Sequence, residues 1–158
     1  MILYFIRHAE ADSDGGQLTE RGVAAMRAAG ELWRRLNLRP DVALSSPLPR
    51  AMQTAELVRD ALGLPAPPLA DERLSPGAEW GDMARAMADH AQARSVLFVG
   101  HEPDLSRIVQ ELTGAASVRM RKGGMACVEF YGIPEAGTGE LAWLLDPDLY
   151  ALEEEEEE

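Results

Sequence analysis

Three short runs of apolar, β-prone residues constrain the fold of this chain more than any other feature: Ile2-Leu3-Tyr4-Phe5-Ile6, Val42-Ala43-Leu44 and Val96-Leu97-Phe98-Val99. Each is continuous rather than alternating, the pattern of a strand buried on both faces of a sheet. Such strands need helices on either side, and helical periodicity fills the intervals between them. Thr19 reads as the N-cap of a first helix with Val23, Met26, Gly30 and Trp33 on its apolar face, ending near Leu38 before Pro40. Ser46-Pro47-Leu48-Pro49 leads into a second, with Ala51, Ala55, Val58 and Leu62 inward and Gly63 past its end. A stiff, donor-poor connection follows from Pro65 to Pro68. The third helix runs from Gly81 through Met83, Met87 and Ala91, and Pro103 opens a fourth, faced by Leu105, Ile108, Val109 and Leu112. Two later β-like runs, Met125 to Tyr131 and Glu140 to Leu145, flank a Gly/Pro-rich loop of hairpin character. The expectation is an α/β fold of three layers, α/β/α, with a mainly parallel central sheet and an antiparallel edge.

A chain of 158 residues, 46% of them hydrophobic, suits one domain, assigned to residues 1–150, with an acidic C-terminal tail at 151–158. The formal charge is −12, but Glu153 to Glu158 supply six of the 27 acidic residues, leaving 21 against 15 basic ones elsewhere. That run reads as a solvated tail, with contact to basic partners as the alternative. An acidic body argues against nucleic acid or an anionic membrane as partner, so an anionic substrate would need a local basic pocket. Cys127, the single cysteine, cannot form an intramolecular disulfide, and no Cys/His spacing resembles a zinc site. A reducing, cytoplasmic location is expected. The run Ile2 to Ile6 lacks the flanks of a signal peptide, and no stretch of about 18 apolar residues suggests a membrane span.

Ligands of open α/β sheets bind beyond the carboxyl ends of the strands. There this sequence has Arg7-His8, Ser45-Ser46-Pro47-Leu48-Pro49-Arg50 and Gly100-His101-Glu102-Pro103. Two guanidiniums and two imidazoles on one edge suit a phosphoryl group, because arginine forks pair with phosphate oxygens without a metal. One imidazole can also be the nucleophile, carrying the phosphoryl group covalently until water releases it. The arginines and the second imidazole, as imidazolium, would stabilise charge on the equatorial oxygens. No cofactor or metal is called for.

These residues resemble a known family. Ile6-Arg7-His8-Ala9 is similar to the Arg-His-Gly signature of the histidine phosphatase superfamily, the phosphoglycerate mutase-like fold. In order follow Leu18-Thr19-x-x-Gly22, Ser45-Ser46-Pro47-x-x-Arg50-Ala51-x-Gln53-Thr54-Ala55 and Val99-Gly100-His101, which look like the family's further motifs. The resemblance implies His8 as phosphorylated nucleophile, with Arg7, Arg50 and His101 as the phosphate pocket. Ala9 departs from the usual glycine, which matters only where a positive φ is required. The short length, Leu74-x-Pro76-Gly77-Ala78, Gly100-His101-Glu102-Pro103-Asp104-Leu105 and Lys122-Gly123-Gly124 look most like the SixA group of phosphohistidine phosphatases. Gly16-Gln17 stand where that group often has a basic residue, and Lys122 is the candidate replacement for the missing phosphate contact.

Ester-cleaving members of the family have a carboxylic acid between the second and third helices to protonate the leaving alkoxide. Asp71, Glu72, Glu79 and Asp82 occupy that segment here without a convincing ester-cleaving signature, Glu79 being the best placed as general acid. A phosphohistidine can lose its imidazole without such an acid, and the short connections leave the site uncovered. The expected function is therefore a metal-independent phosphatase acting on a phosphohistidine of a protein such as a histidine phosphotransfer domain. A small-molecule phosphomonoesterase of the same fold is the alternative, ahead of a non-catalytic phospho-binding module. A mutase, which must shield its phosphoenzyme from water, is less expected. His90 reads as a surface residue, Cys127 as a small core residue, and Trp80 as packing, with lining of the site mouth as its alternative.

Overall fold

The computed structural model of the protein describes residues 1–14 and 16–149. The expected acidic tail at 151–158 lies outside the described residues. Strand β1 (Ile2–Arg7), helix α1 (Glu20–Arg35), β2 (Val42–Ser45), α2 (Pro49–Leu62), β3 (Leu69–Ala70), α3 (Trp80–Ala88), β4 (Ser95–Gly100), α4 (Asp104–Thr113), β5 (Met125–Glu129) and β6 (Glu140–Leu145) follow in that order, with 3-10 turns at Glu72–Leu74 and Pro147–Leu149. The six strands form one sheet in the order β3-β2-β4-β1-β5-β6. The β3-β2, β2-β4 and β4-β1 pairs are parallel, and β5 and β6 add the antiparallel edge.

Both faces of the central strands are covered, which is why their sequences run apolar without alternation. On one face Leu3, Phe5, Val96 and Phe98 pack beneath Leu105, Ile108 and Met83 from α4 and α3. On the other, Tyr4, Ile6, Leu97 and Val99 meet Met26, Trp33, Ala55 and Val58 from α1 and α2. Cys127 is buried in this second layer, and Trp80 is buried in the first, at the start of α3. His90 lies past α3 in a turn and is partly exposed. Among the described residues no helix is long and apolar enough to cross a membrane.

Several elements differ from expectation, each for a local reason. Strand β5 ends at Glu129 rather than Tyr131, where its ladder with β1 runs out at Ile2. Helix α1 stops at Arg35 rather than near Leu38 because Asn37 takes φ 55°, the left-handed conformation that ends helices before Pro40 can do so. Helix α3 spans Trp80–Ala88, starting one residue before Gly81 and closing before Ala91, with the Asp89 N–H already turned onto the Ala86 and Met87 carbonyls. The two-residue β3, too short to leave a periodic signal, pairs Leu69 and Ala70 with Leu44 and Ser45 after the proline-rich connection.

Packing accounts for the Leu18-Thr19-x-x-Gly22 segment. The Thr19 hydroxyl accepts from the Gly22 N–H at 3.0 Å and caps α1. A Cβ on Gly22 would stand 2.3 Å from the Glu10 carbonyl oxygen, a backbone atom that cannot swing away. Gly22 thus lets the first turn of α1 lie directly on the loop that follows β1. Gly22→Ala is expected to lower stability by about 1–3 kcal/mol, the usual cost of overpacking, seen as a lower urea midpoint at unchanged m-value; an unchanged midpoint would refute this contact.

Candidate active site

The site is built from the carboxyl ends of three adjacent parallel strands. Register places Arg7 of β1 beside Gly100 of β4, and Ser45 of β2 beside Val99. The chain then continues on each strand by one residue, to His8, His101 and Ser46. The His8 N–H donates to the Gly100 carbonyl at 3.1 Å and the Ser46 N–H to the Val99 carbonyl at 3.0 Å. The two imidazole rings lie 5.3 Å apart between centroids, inclined at 58°. Helix α2 starts four residues after Ser45, which puts Arg50 in its first turn.

His8 is held by its own next residue. Its Nδ1 lies 2.8 Å from the Ala9 carbonyl oxygen. A carbonyl only accepts, so Nδ1 carries the proton and Nε2 keeps its lone pair. The Ala9 N–H donates to Thr54 Oγ1 at 3.1 Å, and that hydroxyl donates to the Arg50 carbonyl at 2.8 Å. One buried threonine therefore links the loop that follows His8 to the start of α2. Ala9 itself is unstrained, since Asn37 is the only non-glycine residue with positive φ among the described residues. From the other side the Gly123 N–H points at the carbonyls of Arg7 and His8, at 3.0 and 3.2 Å, from a backbone with φ +77°.

Burial of the ring, and the charges of Arg50, Arg7 and Lys122, push the His8 pKa below the ordinary 6.5, against the Ala9 hydrogen bond that raises it. The imidazole is therefore neutral near pH 7, the form a nucleophile needs. Arg7 donates from Nη1 to the Met120 carbonyl at 3.1 Å, while its Nε is buried with no hydrogen-bond partner. The Arg50 guanidinium has no protein hydrogen bond among the described residues. Gly16 lies against it, where an added Cβ would stand 3.7 Å from Nη1.

His101 is almost fully buried and is set by Ser46, itself buried, at 2.8 Å from Nε2. The Ser46 hydroxyl accepts from the Leu48 N–H at 3.3 Å and, among the described residues, has no acceptor for its own proton other than Nε2. The His101 proton then resides on Nδ1, which has no protein partner among the described residues and is not closed off by burial. Burial first, then the charges of His8, Arg50 and Arg7, depress the His101 pKa to about 4, with Asp104 acting in the opposite direction. The second imidazole, expected as imidazolium, is thus neutral near pH 7 in the field of its neighbours. Asp104 is buried at the start of α4, where it accepts from the Gly77 N–H at 2.8 Å and pairs with Arg107 at 2.9 Å.

His8, Arg7, Arg50 and His101 are thereby brought to one sheet edge. Glu79 is not joined to them. It is exposed at the N-terminus of α3, its N–H on Asp82 Oδ2 at 2.9 Å, beside a cleft it shares with Arg107 and Glu111. Asp71 is paired with Arg73 and Asp82 with Arg85. Lys122 is exposed on the cleft that opens past Arg7, and the Gln17 side-chain oxygen accepts from the Gln53 amide. Among the described residues no group of three or more His, Cys, Asp or Glu is arranged to hold a metal ion. Ser46, Thr54 and Asp104 make contacts around the site that residue type did not reveal. Each nevertheless stands inside a motif segment, where a hydroxyl or carboxylate that must be buried points to a fixed partner.

Residues 3–84 match the histidine phosphatase superfamily (branch 1). Over 102 residues the chain is 35% identical to a 2,3-bisphosphoglycerate-dependent phosphoglycerate mutase of Methylobacterium radiotolerans, covering 59% of this chain and 48% of that protein. It spans about half the length of the curated relatives it matches. Among solved structures it is similar to the protein histidine phosphatase SixA complexed with tungstate, with TM-score 0.83, 26% identity, and 94% of this chain and 99% of that one covered. The putative phosphohistidine phosphatase SixA from Agrobacterium tumefaciens shares the fold, with TM-score 0.73, 21% identity, and 92% and 97% covered.

The electrostatics of the imidazole pair are directly measurable. His101 titrates at about 4 in the folded chain and near 6.5 when unfolded, so between these values the unfolded state binds more protons. The stability tied to neutral His101 is complete above pH 6.5 and is lost as the pH falls through 4. In an NMR titration the His101 ring resonances should stay at the neutral limit until well below pH 6, with nitrogen shifts of the Nδ1–H tautomer that Ser46→Ala scrambles. A midpoint at or above 6.5 would contradict this geometry.

Proposed function

We propose, from the premise that the chain belongs to the histidine phosphatase superfamily (branch 1), that it is a phosphatase with His8 as nucleophile, acting on a phosphohistidine side chain of a partner protein. The observation that carries this reading is the neutral His8 with its free Nε2 lone pair beside two guanidiniums, where no carboxylic acid among the described residues is hydrogen-bonded to His8 or His101. The likeness to the protein histidine phosphatase SixA, which extends over 99% of that chain, supports the substrate class.

In the proposed sequence His8 Nε2 attacks phosphorus in line and the P–N bond of the substrate breaks. The departing imidazole takes a proton from solvent on its free nitrogen and leaves neutral. The arginine forks pair with equatorial oxygens, and His101 donates to one of them through Nδ1–H. A phosphoryl dianion reverses the local field of the arginines, so its arrival raises the His101 pKa and allows the imidazolium form during the transfer. Water then attacks the phosphorus on His8, the new P–N bond breaks, and phosphate is released with the nucleophile restored. No step requires a metal.

A small-molecule phosphomonoesterase is the second reading, favoured by the phosphoglycerate mutase relatives and requiring an acid such as Glu79 to reach the leaving oxygen. The two separate on one panel: kcat/KM on a phosphorylated histidine phosphotransfer domain and on small phosphate esters, in EDTA, for wild type and Glu79→Gln. Activity should persist in EDTA, and the phosphohistidine protein should be the better substrate by a wide margin. Glu79→Gln should leave that rate near wild type. If Glu79 is the acid for esters, their hydrolysis alone should fall by roughly 100- to 10,000-fold. Higher kcat/KM on esters would overturn the phosphohistidine reading, and loss of activity in EDTA restored by a divalent cation would overturn the metal-free chemistry.

A further inference from the structure

A cleft of about 580 Å³ opens beside the candidate pocket, with Arg7 forming part of both. Between α4 and β5 the chain places Arg119, Arg121 and Lys122 along it, and their charges are balanced unequally. Arg121 is neutralised by Asp146 at 3.4 Å and Asp148 at 2.7 Å. The carboxylate of Glu102, also on the cleft wall, is occupied by the Ser106 N–H at 2.8 Å and by the Ser106 hydroxyl. Arg119 and Lys122 have no hydrogen bond or ion pair among the described residues. With Asp146 included, Arg7, Arg119, Arg121 and Lys122 stand against Glu102, Asp146 and Asp148, so the cleft has a surplus of one positive charge, and Arg119 and Lys122 are its cations without a partner among the described residues. Lys122 is close enough to the nucleophile for its charge to bear on His8. A concavity of this size is ample for a small group or a side chain, and fixed positive charge in a net acidic protein concentrates anions locally.

We propose that this cleft is a subsite for a second anionic group of the substrate, a carboxylate or phosphate adjacent to the phosphoryl group held by His8, with Arg119 as a specificity-determining residue. The proposal rests on the reading of the His8 site as a phosphoryl site. It goes beyond that reading in stating what the rest of the substrate carries. The anion has two possible sources: an acidic side chain next to a phosphohistidine, or a second acidic group on a small phosphate ester.

Two matched substrate pairs test it: a phosphohistidine peptide flanked by glutamate against the same peptide flanked by alanine, and carboxyphenyl phosphate against phenyl phosphate. Wild type should show a lower KM for the acidic member of at least one pair at similar kcat, an advantage that shrinks as salt is raised. Arg119→Ala should reduce that advantage by roughly two- to fivefold, the scale of one solvent-exposed charge pair. Arg119→Glu should abolish or invert it. Phenyl phosphate turnover should be unchanged in both variants, which also certifies their folding. Discrimination within the peptide pair assigns the anion to a protein. Discrimination within the ester pair alone, with no peptide turned over, keeps the subsite while defeating the phosphohistidine reading. Equal KM values within both pairs in wild type, or a preference that survives Arg119→Glu, would overturn the subsite.

Discussion

The parallel register that sets Arg7 opposite Gly100 and Ser45 opposite Val99 determines everything that follows in this molecule. Strand side chains alternate faces, so a slip of one residue would turn His8 or His101 away from the edge they share. The register is held by two apolar layers, since Phe5 and Phe98 stack at 5.4 Å between centroids on one face while Ile6 and Val99 fill the other. Burial on both faces makes any slip expensive, which is how a core of ordinary aliphatic residues specifies the separation of two imidazoles.

The pocket then relies on backbone and hydroxyl groups to orient its charged side chains. A carbonyl fixes the tautomer of His8, a serine that of His101, and a threonine ties the loop after His8 to the helix bearing Arg50. These partners are neutral, so they set geometry without cancelling the positive field. Burial first, and that field with it, keep both imidazoles unprotonated, and the field suits a ligand carrying two negative charges. The same logic explains why the nearby carboxylates are already occupied: Asp104 by Gly77 and Arg107, Glu102 by Ser106.

The central strands were legible because a short, continuous apolar run fits little besides a strand buried on both faces, and three of the four helices because threonine or proline marks their starts. The convergence of Arg7, His8, Arg50 and His101 was legible from a topological rule, that ligands collect at the carboxyl ends of parallel strands. What escaped was local. Asn37 ended α1 through a left-handed backbone that its neighbours do not announce, and β3 is only two residues long. The tautomers set by Ala9 and Ser46 depend on distances no spacing encodes. The placement of Glu79 depended on how the loop from Asp71 to Glu79 is drawn toward α4, partly through Asp104.

The central claim is that phosphate passes through His8. It is tested most directly by rapid quench of the protein with a radiolabelled phosphohistidine protein, followed by mapping of the label. The account predicts a transient, acid-labile and base-stable phosphoryl group on His8, absent from His8→Ala, which should have no turnover while remaining folded. Turnover in wild type without any labelled enzyme, or turnover retained in His8→Ala, would contradict it.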